Sequence, residues 1–314
     1  MINVTFEHPH KIAIVGVGKI AIDQHVPSIN GNLDFELAAT VSRNGTVDGV
    51  QAYTGLTQML KERPDVSAVS LCMPPQFRYA YAVEAMRAGK HVLLEKPPGA
   101  SISEVDNLQT IARETGVSLF ATWHSRFAPA VEATRQALAA TQIKSIEVVW
   151  KEDVRKWHPG QGWIWEAGGL GVFDPGINAL SILTQIMPHA LHLTASELEF
   201  PKNRETPIAA SLKFQDHLNS NISAVFDWRQ EGHQSWNIFA ETDAGSYQLM
   251  EGGCKLLLDG RTVCEEPEKE YPNIYSRFAE LLRSGESDVD ISPLKHVADA
   301  FMLGRRVEVE AFHD

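Results

Sequence analysis

Cysteine is scarce in this chain: Cys72, Cys254 and Cys264 are its three. No two stand in a C-x-x-C pair, so a reducing cytosol fits better than a disulfide framework. Long apolar runs are missing as well. No stretch reaches the ~18 residues that cross a membrane, and the amino-terminal residues do not read as a signal peptide. Clustered positive charge is also absent. Lys and Arg number 28 against 40 Asp and Glu, giving a formal charge of -12, and no basic run exceeds Arg305-Arg306. Nucleic acid and anionic membrane surfaces want the opposite, so neither is expected as a partner. His8, His10 and the other scattered histidines show no metal-ligand spacing, and no metal is expected. What is present is an ordinary globular composition, 44% apolar and 22% charged over 314 residues, enough for one large or two ordinary domains. A soluble, cytoplasmic protein acting on a small molecule is the expectation.

The stretch Lys11-Ile12-Ala13-Ile14-Val15-Gly16-Val17-Gly18-Lys19-Ile20-Ala21 is an apolar, β-branched run ending in Gly16-x-Gly18-x-x-Ala21. It reads as the strand, tight turn and helix of a dinucleotide site. Gly16 permits the turn, Gly18 lets the backbone approach a pyrophosphate, and Ala21 lets the helix lie close on its strand, its amino terminus toward the phosphates. A plain tight turn would share this pattern if no alternation of strand and helix followed. Strands do follow, at 35–41, 66–72, 91–94 and 117–122, with helical patterns at about 55–63, 78–88 and 103–115. That is a doubly wound parallel α/β sheet. Past residue 140 the texture changes to strand-like runs at about 143–151, 191–199, 207–214, 219–228, 234–241 and 245–250, an open, mainly antiparallel sheet. Helices are expected at 273–283 and at 294–306, the last docking back on the nucleotide domain. The expected domains are 1–124 and 125–314.

Three further places carry chemistry. The second strand ends Thr40-Val41-Ser42-Arg43-Asn44 with no carboxylate to hold a ribose 2'-hydroxyl. Arg43, aided by Ser42, can instead pair with a 2'-phosphate, which predicts NADP ahead of NAD; a solvated loop cation is the plainer alternative. The fourth strand ends Leu94-Glu95-Lys96-Pro97-Pro98. A Lys presented there beside two prolines, one X-Pro bond of them a candidate for cis, can donate to a substrate hydroxyl and stabilise alkoxide charge. The third place is Gly168-Gly169 followed by Asp174 and Asn178, where a loop enters a helix. Asp174 and Asn178 share a face if the helix covers both; an N-cap is the alternative use for Asp174.

Taken in order and spacing, these motifs resemble the Gfo/Idh/MocA family of oxidoreductases over nearly the whole chain. More narrowly, the segments 120–126, 150–154 and 157–160 look like the bacterial aldose 1-dehydrogenases that act on L-arabinose or D-galactose. The resemblance implies a Rossmann domain followed by an α+β domain, and an NADP-linked oxidation of the anomeric carbon to the lactone. It implies cofactor contacts from Gly16, Gly18, Lys19, Ile20, Ser42, Arg43, Pro74, Glu95 and Lys96, and a homo-oligomer, dimer or tetramer, built on the exposed sheet face. Many relatives carry His where this chain has Asn178, and Asn cannot take a proton. Asp174 is therefore assigned as proton acceptor, with Lys96 polarising the anomeric oxygen and Asn178 holding it. Burial of Asp174 or sharing of the proton with Lys96 is expected to strengthen that base.

A sugar offers apolar ring faces and hydroxyl edges, matched by aromatic platforms and polar partners. Glu152, His158, Trp157, Trp163, Trp165, His124 and Trp236 supply that mixture, Glu152 and His158 first. L-Arabinopyranose and D-galactopyranose share their ring hydroxyl configuration, so one pocket serves both if the corner for the extra carbon is open, and D-glucose is expected to be poorer. Two other readings fit the motifs: a family reductase acting on a polyol, keto-sugar or aromatic diol, and a nucleotide-binding regulator without turnover.

Overall fold

The apolar runs of the first half become strands because a sheet covered on both faces buries every side chain along them. The computed structural model describes residues 8–313. Its first elements are β1 (His10–Val15), a helical stretch over 19–30 ending in α1 (Val26–Asn30), β2 (Phe35–Val41), β3 (Gln51–Tyr53), α2 (Leu56–Glu62), β4 (Ala68–Leu71), α3 (Pro75–Arg87), β5 (His91–Leu94), α4 (Ile102–Thr115) and β6 (Leu119–Ala121). The strands pair in parallel in the order β3-β2-β1-β4-β5-β6. That is the dinucleotide-binding arrangement, with its reversal of direction between β1 and β4. Register levels the strand ends: Val15 pairs with Val41 and with Leu71, and Leu71 with Leu94. The residues that follow each of these strands therefore line one edge.

The chain continues with α5 (Val131–Ala139), β7 (Ile143–Lys151), α6 (Val154–Trp157), α7 (Phe173–Ile186), β8 (His192–Pro201), β9 (Ala209–Gln215), β10 (Asn221–Asp227), β11 (Ser235–Thr242), β12 (Ser246–Met250), β13 (Lys255–Leu258), β14 (Arg261–Glu265), α8 (Glu270–Ser284), α9 (Ser292–Leu303) and β15 (Arg305–Val309). The second sheet runs β14-β13-β12-β11-β7-β10-β9-β8-β15. Among the described residues only β7 with β10 and β8 with β15 pair in parallel, so the sheet is mixed and mostly antiparallel. Among the described residues no helix is long and apolar enough to cross a membrane.

Contacts group residues 8–124 with Glu270–Ile291 in one compact unit, and Ser125–Lys269 with residues 292–313 in the other. The helix that returns to the first unit is thus α8, not the last one. Its buried residues Tyr271, Ile274, Tyr275, Phe278 and Leu281 recur at helical spacing. Phe278 stacks on Phe35 and Phe120, at ring distances of 5.7 and 6.1 Å, and burying such a ring contributes about 1.5–3 kcal/mol. By contrast, α9 lies with its own unit, along β8 and α7. It ends at Leu303, short of the expected 306, because Arg305–Val309 alternates with period two and pairs with β8 instead.

In the second unit α7 rests on β10, where Phe173 meets Phe226 edge to face at 6.0 Å. Gly176 makes this approach: a Cβ there would stand 2.7 Å from the Phe226 ring. Replacing a helical Gly by Ala gains about 0.5–1 kcal/mol of propensity, whereas overpacking a filled core costs about 1–3 kcal/mol. The clash wins. Gly176→Ala is expected to lower the melting temperature followed by circular dichroism; an increase would show that the contact yields easily.

Candidate active site

The level edge of the parallel sheet gathers most of the expected cofactor residues. Gly16 follows β1 at φ +93°, and a Cβ there would stand 2.8 Å from the Met73 backbone nitrogen, so only glycine serves where the β1 and β4 loops meet. A Cβ on Gly18 would meet nothing within 4 Å, which leaves the backbone open to a phosphate. The residues present fit a dinucleotide. Ala21 is buried at the first helical turns. After β2, the Ser42 hydroxyl accepts from the Asn44 and Gly45 N–H groups at 3.4 and 3.3 Å, and Arg43 stands exposed beside it. Pro74 caps α3. Lys19 pairs with Asp23 on the surface, and Ile20 is partly exposed. The Lys96–Pro97 bond is cis.

Below this edge lies a buried network that the motifs alone do not disclose. Glu95, 4% exposed, accepts at Oε1 from the Tyr271 hydroxyl at 2.9 Å and pairs there with His25 Nε2 at 3.0 Å. At Oε2 it accepts from the Lys96 backbone N–H at 2.9 Å. Burial works to raise the Glu95 carboxyl, but the hydrogen bond and charge of His25, with His124 and Arg78, hold it down at about 2. Burial also works against the His25 cation; Cys72, Tyr275 and Glu95 around it outweigh that and raise it well above the usual imidazole value. Burial and the Glu95 charge push the Tyr271 phenol upward, so it remains a donor. Arg78, buried in the first turns of α3, donates to the carbonyls of Glu95 and Pro97 and, at 2.6 Å, of Met73. Burial lowers its guanidinium to about 10, still a cation at neutral pH.

His124, expected in the sugar pocket, bonds through Nδ1 to Glu270 at 2.5 Å and stacks on Tyr271 at 5.6 Å. Burial works to lower its imidazole, but Glu270 prevails and raises it.

The second unit assembles its own cluster where three neighbouring strands end. Because β7 and β10 are parallel and β11 runs against β7, Glu152 after β7, Trp228 after β10 and Trp236 at the start of β11 share one edge. The Glu152 carboxylate, 7% exposed, accepts from the indole N–H groups of Trp228 at 3.2 Å and Trp236 at 3.0 Å. His158 Nε2 lies 3.9 Å from Glu152 Oε1 and 3.5 Å from Asp174 Oδ2, its ring 5.2 Å from that of Trp228. Trp157 meets Trp236 edge-on at 5.6 Å and is 41% exposed. Asp174, 5% exposed, lies inside the first turn of α7, whose cap is Val172. It is therefore not an N-cap, and the helix carries Asn178 one turn on along the same face.

Trp165 differs from expectation. It is 3% exposed, packed against Trp228 at 5.1 Å with the Arg204 guanidinium 5.0 Å over its ring, and so belongs to the core and offers no platform. Trp163 is half-buried. The residues that pattern reading passed over are Trp228, His25, Tyr271, Tyr275 and Arg78. Only His25 had a local signal, a polar residue seven positions after Gly18 in a helix that must lie on its sheet.

The depressed Glu95 carboxyl has a measurable consequence. A group that ionises more readily folded than unfolded contributes stability above its unfolded value, here 4.5, and loses it as pH falls toward about 2. Melting temperature is expected to fall across that window in the native protein. Glu95→Gln should start lower at neutral pH, since His25 loses its counter-charge, and fall less steeply; parallel curves would remove Glu95 from the acid response.

Residues 10–122 match the model of the Gfo/Idh/MocA oxidoreductase family with an NAD-binding Rossmann fold. The chain is 44% identical to a galactose 1-dehydrogenase of Pseudomonas fluorescens over 308 residues, covering 98% of this chain and 99% of that one. It is 60% identical to the crystal structure of a D-galactose-1-dehydrogenase from Rhizobium etli, with a TM-score of 0.96 over 98% and 99% of the two chains. A 3-ketoreductase from Actinomadura kijaniata, solved with NADP and TDP-benzene, shares the fold at 18% identity, with a TM-score of 0.81 over 96% and 99% of the two chains. Full-length likeness at this level, on top of the sheet order and the glycine turn, settles membership: the chain belongs to the Gfo/Idh/MocA family of oxidoreductases.

Proposed function

We propose that this chain is an aldose 1-dehydrogenase that oxidises the anomeric carbon of D-galactose, and of L-arabinose, to the lactone, with NADP preferred over NAD. One observation carries the reading: His158 lies between Glu152 and Asp174, at 3.9 and 3.5 Å, with the indoles of Trp228, Trp236 and Trp157 around them. Polar groups in several directions beside exposed aromatic surface are what a pyranose requires. Both full-length relatives carry names for a reaction on galactose.

The roles follow from the chemistry of each side chain. The Lys96 ammonium donates to the anomeric oxygen and stabilises negative charge as it develops there. Asp174 accepts the proton of the anomeric hydroxyl, its far side steadied by His158. Asn178 donates a hydrogen bond and takes no proton. Glu152 and His158 read ring hydroxyls, and Trp157 and Trp236 offer the apolar face. The nicotinamide, when bound, supplies the two-electron acceptor. Gly16 and Gly18 give the dinucleotide its backbone approach, and Ser42 with Arg43 holds a 2'-phosphate, the reason NADP is preferred.

Initial rates on a panel of aldoses with both cofactors test this. D-Galactose and L-arabinose should give the highest kcat/KM, D-glucose a lower one, and NADP should exceed NAD. Asp174→Asn should lower kcat by roughly 10²-fold or more. A D-glucose preference, or near-native turnover in Asp174→Asn, would overturn the substrate or the base assignment respectively.

A further inference from the structure

The backbone around Lys96 is held by buried side chains. The Lys96 N–H donates to Glu95 Oε2 at 2.9 Å, while Arg78 takes the carbonyls of Glu95 and Pro97 on either side. The peptide plane before the Lys96 Cα, and the carbonyl of the proline after it, are thus fixed by two buried ionic groups. Arg78 is anchored by three carbonyls through its two terminal nitrogens. Glu95 is different: a carboxylate torsion is loose unless its second oxygen is held as firmly as the first. That oxygen is held by Tyr271 and by His25.

His25 reaches it through a local irregularity. Residues Ala21–His25 are wound as a π-helix, the Val26 N–H bonding to the Ala21 carbonyl, and this extra residue per turn turns His25 inward to complete burial. Every element around the imidazole supplies a group that faces it. Ser70 of β4 and Tyr275 of α8 meet Nδ1 at 3.2 and 2.8 Å, Cys72 follows β4 beside them, and Tyr271 packs edge-on at 5.0 Å. Glu95 lies on the Nε2 side.

We infer that His25 is a positioning residue for Lys96, acting through the Glu95 carboxylate to fix the backbone from which the Lys96 side chain departs. The inference rests on the reading of Lys96 as the donor to the substrate oxygen. His25 itself contacts the sugar nowhere in this scheme; it sets the orientation on which hydride transfer depends.

Two variants and two readouts test it. His25→Phe keeps the ring packing and removes both nitrogens, whereas His25→Gln retains an N–H donor toward Glu95. With D-galactose and NADP, His25→Phe should lower kcat by about tenfold to a hundredfold, the scale of a 1 Å misplacement. Its KM and its NADP dissociation constant should stay within about threefold, and His25→Gln should recover most of the loss. In parallel, lysines are dimethylated with 13C-formaldehyde, and the Lys96 resonance is identified by its loss in Lys96→Ala. That resonance should shift in His25→Phe and return toward native in His25→Gln. An unmoved resonance, an unchanged kcat, or a loss carried by KM or by cofactor binding each overturns the proposal. Should the native protein oxidise no aldose, the functional reading fails, and the resonance still decides the role of His25.

Discussion

A single buried carboxylate, that of Glu95, ties the nucleotide unit together. It closes β5 at the edge where the glycine turn, Ser42 and Pro74 also end, and its two oxygens bind three donors from three parts of the chain: the helix after β1, the residue following it, and α8. An ion placed in so little water persists only when each lone pair is met. That requirement explains why α8, far along the sequence, must return to the first unit. Its Phe278 fills the sheet face, while Tyr271 and Tyr275 complete the polar network around the carboxylate and His25.

The second unit solves a related problem with neutral donors. Glu152 is nearly as buried, and it accepts from indole N–H groups carried by the strands on either side of β7. Indole N–H groups carry no net charge, so they satisfy hydrogen-bonding capacity without the counter-charge a guanidinium would bring. The same His158 nitrogen then stands near two carboxylates, those of Glu152 and Asp174.

Much of this architecture is legible in the sequence. The turn at Gly16 and Gly18, the edge position of Lys96 and the helical placement of Asp174 with Asn178 depend on local sterics and spacing, which neighbouring residues report. So did the change from alternating strands and helices to a mostly antiparallel sheet. What escaped depends on partners distant in sequence. His25 and Tyr271 meet on Glu95 although 246 residues separate them by number, and the π turn that aims His25 inward leaves no compositional trace. Trp165 looked like a platform because an indole in a Gly-rich segment suits either role; Arg204 and Trp228 decide for the core. The three-residue strand β3 passes below the length at which alternation marks a strand.

The account turns on which carbon of the sugar loses its hydride. Incubating the protein with NADP and D-galactose deuterated either at C1 or at C3, then weighing the reduced cofactor by mass spectrometry, decides this without reference to product. Deuterium should enter the nicotinamide from the C1-labelled sugar alone. Label arriving from C3, or no reduced cofactor from either sugar, would contradict it.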